Sequence, residues 1–193
     1  MKIRESGMPA QDFWETLFAV PAILDAFGFD AATGDVAELG CGYGTFTIPL
    51  ARRIGGTVHA LDLDPAMVTA TADRAVTGKL ANIRASVRDV LRDGYGVPPA
   101  SCDAALLFNI LHGEEPVSLL RAAREIVRPG GQIAIIHWRS DVPTPRGPPL
   151  EIRPRAGQIA SWAASAGGLH AGAGAFALPP WHFGVKLLRT IYV

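Results

Sequence analysis

Cysteine is nearly missing from this sequence. Cys41 and Cys102 are the only two, and neither belongs to a Cys-x-x-Cys pair or has histidine at zinc-site spacing. A structural metal site is not expected, and both thiols are expected to be reduced and buried. Surplus charge is missing as well: 18 Lys and Arg face 18 Asp and Glu. No basic run builds the electrostatic footprint that nucleic acid or an anionic membrane requires. Long apolar runs are absent too. AALLFNIL, from Ala104 to Leu111, falls far short of the roughly 20 residues that cross a bilayer. The opening MKIRESGMPAQDFW lacks the apolar centre of a signal peptide. A cytoplasmic protein is expected, with no nucleic-acid partner and no membrane insertion.

What is present is an alternation. Helical spacing predicts short helices over Pro9–Phe18 and Pro21–Phe27, and these form an N-terminal helical cap over residues 1–30. Strand-like runs then alternate with helical ones: Val36–Leu39, a helix over Thr45–Ile54, Thr57–Asp62, a helix over Pro65–Lys79, Ile83–Val87, Asp103–Phe108, a helix over Pro116–Val127, and Gln132–His137. That order implies an α/β domain over residues 31–193, built on a mostly parallel sheet. Asp64-Pro65 and Glu115-Pro116 read as helix starts and Arg128–Gly131 as a helix stop. Residues 139–154, with Pro143, Pro145, Pro148, Pro149 and Pro154, read as a surface loop. A helix over Pro154–Ala166 follows. The last two runs, Ala173–Leu178 and His182–Tyr192, have no helix between them and should form an antiparallel hairpin.

The stretch VAELGCGYGTFTIPLA sets Gly40, Gly42 and Gly44 at every second position after the first strand. Open α/β sheets bind ligands at the carboxyl ends of their strands, and glycines there let a ligand approach the backbone. A P-loop would need Lys-Ser or Lys-Thr after the last glycine, and Thr45-Phe46 stands there instead. A dinucleotide fingerprint would place the third glycine one position later. A tight strand–helix turn with no ligand is the plain structural alternative.

The ordered set of landmarks resembles the class I methyltransferases that use S-adenosylmethionine, closest to the small ubiquinone and menaquinone methyltransferase group. Glu38-Leu39-Gly40-Cys41-Gly42-Tyr43-Gly44 is similar to their first motif; VHALDLDPAMV, SVRDV, CDAALLFNILH, EIVRPGGQIAIIHW and PPWHFGVKLL follow in the family's order. The resemblance implies a Rossmann-like three-layer sandwich with a seven-stranded sheet ordered 3-2-1-4-5-7-6 and strand 7 antiparallel. It implies methyl transfer from S-adenosylmethionine to a small-molecule acceptor, with S-adenosylhomocysteine as product. The glycine loop and Glu38 would meet the methionyl part of the cofactor, and Asp62 both ribose hydroxyls. Leu63 and Met67 would flank the adenine, Asp89 and Val90 would meet its edge, and Asn109 completes the implied cofactor set. The alternatives kept beside it are a non-catalytic S-adenosylmethionine-binding protein and a nicotinamide-dependent oxidoreductase.

His112 follows the fourth strand, His137 ends the fifth and His182 begins the last. In the family's topology all three gather on the acceptor side, where a near-neutral imidazole suits substrate binding or proton removal. The alternative is that His137 and His182, each beside a tryptophan, are structural. Asp89 has a plain reading as a turn acid or partner of Arg88, and Arg146, Arg153 and Arg155 as solvated loop charge. Trp14 and Phe18 read as core residues.

Overall fold

The computed structural model describes residues 8–191, so the start of the N-terminal cap and the expected reach of the last strand to Tyr192 lie outside the described residues. Residues up to Gly96 form one compact unit and those from Val97 onward form another.

The first unit holds α1 (Gln11–Glu15), α2 (Val20–Phe27), β1 (Val36–Leu39), α3 (Thr47–Ala51), β2 (Val58–Asp62), α4 (Pro65–Thr77), β3 (Ile83–Val87) and α5 (Val90–Asp93). Its strands are parallel, in register from Val36↔Val58 to Leu39↔Leu61 and from Val58↔Ile83 to Asp62↔Val87. Parallel neighbours need crossovers, which α3 and α4 supply. The start of α4 follows from its sequence. Pro65 loses no hydrogen bond at the first helical position, and the Asp64 carboxylate accepts the Ala66 N–H at 2.8 Å. Met67, Thr71 and Ala75, four apart, share the buried face that α4 lays against β2 and β3.

The second unit holds β4 (Cys102–Phe108), α6 (Pro116–Ile126), β5 (Val127–Trp138), a short 3₁₀ turn (Leu150–Ile152), α7 (Ala156–Ala166), β6 (Leu169–Leu178) and β7 (His182–Arg189). β4 and β5 are parallel, whereas β7 is antiparallel to both β5 and β6, as the missing helix between the last two runs required. From Ile133 to Trp138 every residue of β5 is buried. Each such aliphatic side chain contributes about 1.5–3 kcal/mol, so this run anchors the unit. The strand order is β3-β2-β1-β4-β5-β7-β6, as expected. Among the described residues, no helix is long and apolar enough to cross a membrane.

Local departures from the sequence reading have physical causes. α3 is shorter than Thr45–Ile54, because Thr45 and Phe46 still belong to the turn that leaves Gly44. α5 was not anticipated; the Asp89 carboxylate caps it by accepting the Arg92 N–H at 3.3 Å. Arg128–Gly131 does stop α6, but it also runs on as the irregular start of β5. The register jumps from Cys102↔Val127 to Ala104↔Gln132, with Gly130 at φ 78° absorbing the extra chain.

Candidate functional site

In the first unit the glycine loop is a pinned turn. Gly40, Gly42 and Gly44 have φ of 79°, 54° and 75°, a region that costs other L-residues about 1–2 kcal/mol each. The loop is tied to the end of β2 from both sides. The Gly40 and Cys41 N–H groups donate to the Leu61 carbonyl at 2.7 and 3.0 Å, and the Gly42 N–H donates to Asp62 Oδ2 at 2.9 Å. Asp62 Oδ1 accepts the Asp64 N–H at 3.0 Å.

Although Asp64 caps α4, Asp62 is not free of backbone contacts. It is committed to the backbone at both oxygens. A carboxylate offers about four lone-pair positions, so one remains on each oxygen, the number that a pair of ribose hydroxyls requires. Arg88 N–H donates to the Asp62 carbonyl at 2.8 Å, which seats the Asp89–Val90 turn beside it. Leu63, next to Asp62, is 44% exposed, an apolar surface suited to a flat ring. Met67 and Val90 are buried.

Glu38 is buried in β1, with the Thr47 hydroxyl donating to Oε2. Burial, opposed by the Thr47 hydrogen bond and reinforced by the nearby Asp62 charge, pushes its carboxyl up to about 8. Burial and the Glu38 carboxylate also push the Cys41 thiol well above the usual thiol range, so this cysteine is a packed, inert group, as expected.

Several supports of the loop were not legible in the sequence. The Thr71 hydroxyl donates to the Gly42 carbonyl at 2.9 Å, and Arg74 bridges the Tyr43 carbonyl at 2.7 Å to Glu15 at 2.6 Å. The Tyr43 hydroxyl donates to the Pro9 carbonyl at 2.9 Å, so the segment entering α1 rests on the loop. Trp14 meets Phe18 edge-on at 4.9 Å, and Phe18 is buried against Phe46 at 5.2 Å, in keeping with the core reading of Phe18. The Thr45 hydroxyl is buried beside Gly44 with no hydrogen-bond partner among the described residues. A threonine inside a helix pattern, as at Thr47 and Thr71, was the available signal, since threonine forms helices poorly.

In the second unit the three histidines do gather. His112 Nδ1 lies 3.3 Å from His137 Nε2, and His137 Nδ1 lies 3.3 Å from the Trp138 carbonyl. His182, the register partner of Trp138, lies on its ring at 4.1 Å, and its Nε2 is 3.4 Å from Asn109 Nδ2. His137 and His182 are buried, and burial pulls both down to about 3, so they are neutral. Half-buried His112 is lowered by burial too. Asn109 has φ 59°, and its buried Oδ1 has no partner among the described residues. The structure thus joins Asn109 to the histidines. No group of His, Cys, Asp and Glu among the described residues is arranged to hold a metal.

The proline-rich loop closes on the end of β5. Arg153 is buried, not solvated as expected; its guanidinium donates to the Pro148 and Arg139 carbonyls, each at 2.8 Å. A side chain at Gly147 would strike the Trp138 ring at 2.9 Å. Arg146 and Arg155 remain exposed.

A methyltransferase-domain family model matches residues 36–131. The aklanonic acid methyltransferase DauC of Streptomyces sp. (strain C5) is 30% identical over 109 residues, 54% of this chain and 49% of that protein. The nocamycin O-methyltransferase of Saccharothrix syringae is 36% identical over 112 residues, 52% of this chain and 36% of that one. The chain thus spans half or less of the length of these relatives. A SAM-dependent methyltransferase from Aquifex aeolicus has the same fold, with a TM-score of 0.81 at 22% identity over 93% of this chain and 94% of that one. The matched span runs from β1 through the glycine loop and Asp62 to the start of β5, so just under half of the chain is similar to a methyltransferase domain, and the fold is that of the solved methyltransferase.

Proposed function

We propose that this protein transfers a methyl group from S-adenosylmethionine to a small-molecule acceptor and releases S-adenosylhomocysteine. The observation that carries the reading is the Gly42–Asp62 hydrogen bond. It presents a glycine backbone and a carboxylate with two spare lone pairs together, the donors and acceptors that a methionyl group and a ribose need. The unpartnered Thr45 hydroxyl and the exposed Leu63 support the same ligand.

In this reading Glu38, Gly40, Gly42 and Gly44 hold the methionyl part. Asp62 takes the ribose hydroxyls, and Leu63, Met67, Asp89 and Val90 surround the adenine. Asp89 has an oxygen to spare after capping α5. His112, His137 and His182, with Asn109, handle the acceptor. The cofactor supplies an electrophilic methyl on a sulfonium, so the protein's task is to orient a nucleophile and exclude water. Balanced charge, 18 basic against 18 acidic residues, favours a small acceptor over nucleic acid.

Calorimetric titration with S-adenosylmethionine, S-adenosylhomocysteine and NAD tests the cofactor. The first two should bind and NAD should not. Binding of NAD alone would return the oxidoreductase reading, and S-adenosylmethionine binding with no turnover across an acceptor panel would favour a purely binding role.

A further inference from the structure

A cavity of about 350 Å³ lies wholly within the second unit, where the proline-rich loop leaves β5 and meets the β6–β7 hairpin. Ala175, Phe176, Ala177, Pro179 and Phe183 form its apolar wall, and buried His182 lies among them. The Phe176 ring lies across Gly184, where a Cβ would come within 2.4 Å of it, so the missing side chain lets this ring rest against the sheet. An apolar cavity of about 150 Å³ accepts one benzene, so this one has room for two fused rings. His182 ties the cavity to the cluster described above, through Trp138 and Asn109.

Charge at the cavity is uneven. The Asp141 carboxylate is already taken by Arg139, which donates from Nε to Oδ1 at 3.0 Å and from Nη2 to Oδ2 at 2.7 Å. The Arg155 guanidinium, which also lines the cavity, pairs with no carboxylate among the described residues. Ala156 beside it opens α7, whose amino end adds partial positive charge. One uncompensated cation thus stands at the edge of an apolar, aromatic space.

We propose that this cavity seats the methyl acceptor, that the acceptor is a fused-ring aromatic acid, and that Arg155 is the specificity residue that pairs with its carboxylate. The inference rests on the methyltransferase reading above. A guanidinium fork meets a carboxylate through two parallel N–H···O bonds. One cation balances a carboxylate, whereas a phosphate near its second ionisation would be left half-compensated. A carboxylate held by a guanidinium is a poor nucleophile, so it is the handle, and the methylated atom lies elsewhere on the ring system.

Titration of the full chain with 2-naphthoate and its uncharged isostere 2-naphthamide, in the presence of S-adenosylhomocysteine, tests the assignment. Naphthoate should bind tighter by about tenfold or more. Arg155→Gln, at an exposed position, should remove that difference and leave naphthamide affinity nearly unchanged. Cys41 and Cys102 are buried, so Ser140→Cys sets a single reactive thiol at the cavity, and naphthoate should slow its alkylation by N-ethylmaleimide. Equal affinities of the two probes for the parental protein, an unchanged preference in Arg155→Gln, or alkylation at the same rate with naphthoate present overturns the proposal. With S-adenosylmethionine and hydroxy- or aminonaphthoates, Arg155→Gln should raise KM about tenfold or more and leave kcat nearly unchanged; an unchanged KM also overturns it. Failure of S-adenosylmethionine to bind the parental protein would instead remove the methyltransferase reading and leave the naphthoate preference standing.

Discussion

The Gly42 amide donates to Asp62 Oδ2 at 2.9 Å, joining two residues twenty positions apart and making the glycine loop and the acid after it one unit. A change at either residue is therefore felt at both, which shapes the first two predictions.

Asp62→Ala removes the acceptor of two backbone N–H groups and the proposed ribose contact together. Cofactor affinity should fall by roughly 2–4 kcal/mol, about thirty- to a thousand-fold, and folding stability by about 1–3 kcal/mol. Titration with S-adenosylmethionine and urea denaturation separate the two. An affinity change below threefold would show that Asp62 serves only the loop.

A valine at Gly42 is a poor probe of ligand approach, because a β-branched residue at φ 54° is strained whether or not anything binds. Gly42→Ala is the cleaner change. Its nearest new neighbour is the Met8 Cε methyl, the flexible end of a side chain, at 3.4 Å. Stability should drop by about 1–2 kcal/mol from the backbone alone, and cofactor affinity by more. Gly44→Ala should destabilise further, since its Cβ would lie 3.1 Å from Thr71 Oγ1. Equal losses of stability and affinity at Gly42 would mean that the glycines serve the turn.

Glu38 makes stability depend on pH with a definite sign. Its folded value, about 8, lies above the ordinary 4.5, so the folded protein binds the extra proton and this contribution is lost as pH rises from 4.5 through about 8. His137 and His182, drawn down to about 3 from 6.5, act oppositely and lose stability as pH falls from 6.5 toward 3. Glu38→Gln leaves the histidines in place. The stability difference between Glu38→Gln and the parent should therefore grow with pH, by up to about 4–5 kcal/mol. Denaturation curves from pH 5 to 8 measure it; a flat difference would mean that Glu38 is already ionised when folded.

Arg153 and Arg155 should behave very differently although two positions apart. Arg153→Ala takes away the buried donor to the Pro148 and Arg139 carbonyls and should cost about 3 kcal/mol, with faster proteolysis within residues 139–154. Arg155→Ala, at an exposed position, should stay within about 0.5 kcal/mol. Similar melting temperatures for the two variants would contradict the role assigned to Arg153.

The features legible in the sequence are those whose causes are local. Val36–Leu39 and Ile83–Val87 are strands as read, because each is a short run opened by a β-branched residue and bounded by turns. Asp64-Pro65 starts α4 through contacts confined to three residues. The glycine spacing and the acid closing β2 mark the candidate site for the same reason, since alternating glycines are costly and rarely incidental.

What only the tertiary structure decided involves contacts between residues far apart in the chain. Nothing near Asp62 in sequence says that Gly42 holds it, and nothing near Arg153 says that the Arg139 carbonyl, 14 residues earlier, waits for its guanidinium. His112 and His137 stand 25 residues apart in sequence, yet their ring nitrogens lie 3.3 Å apart, and burial keeps the His137 ring neutral. A side chain's type sets which hydrogen bonds it can make. The fold alone sets which partners are in reach and how much water is left to compete, and so it alone sets the protonation state of each group.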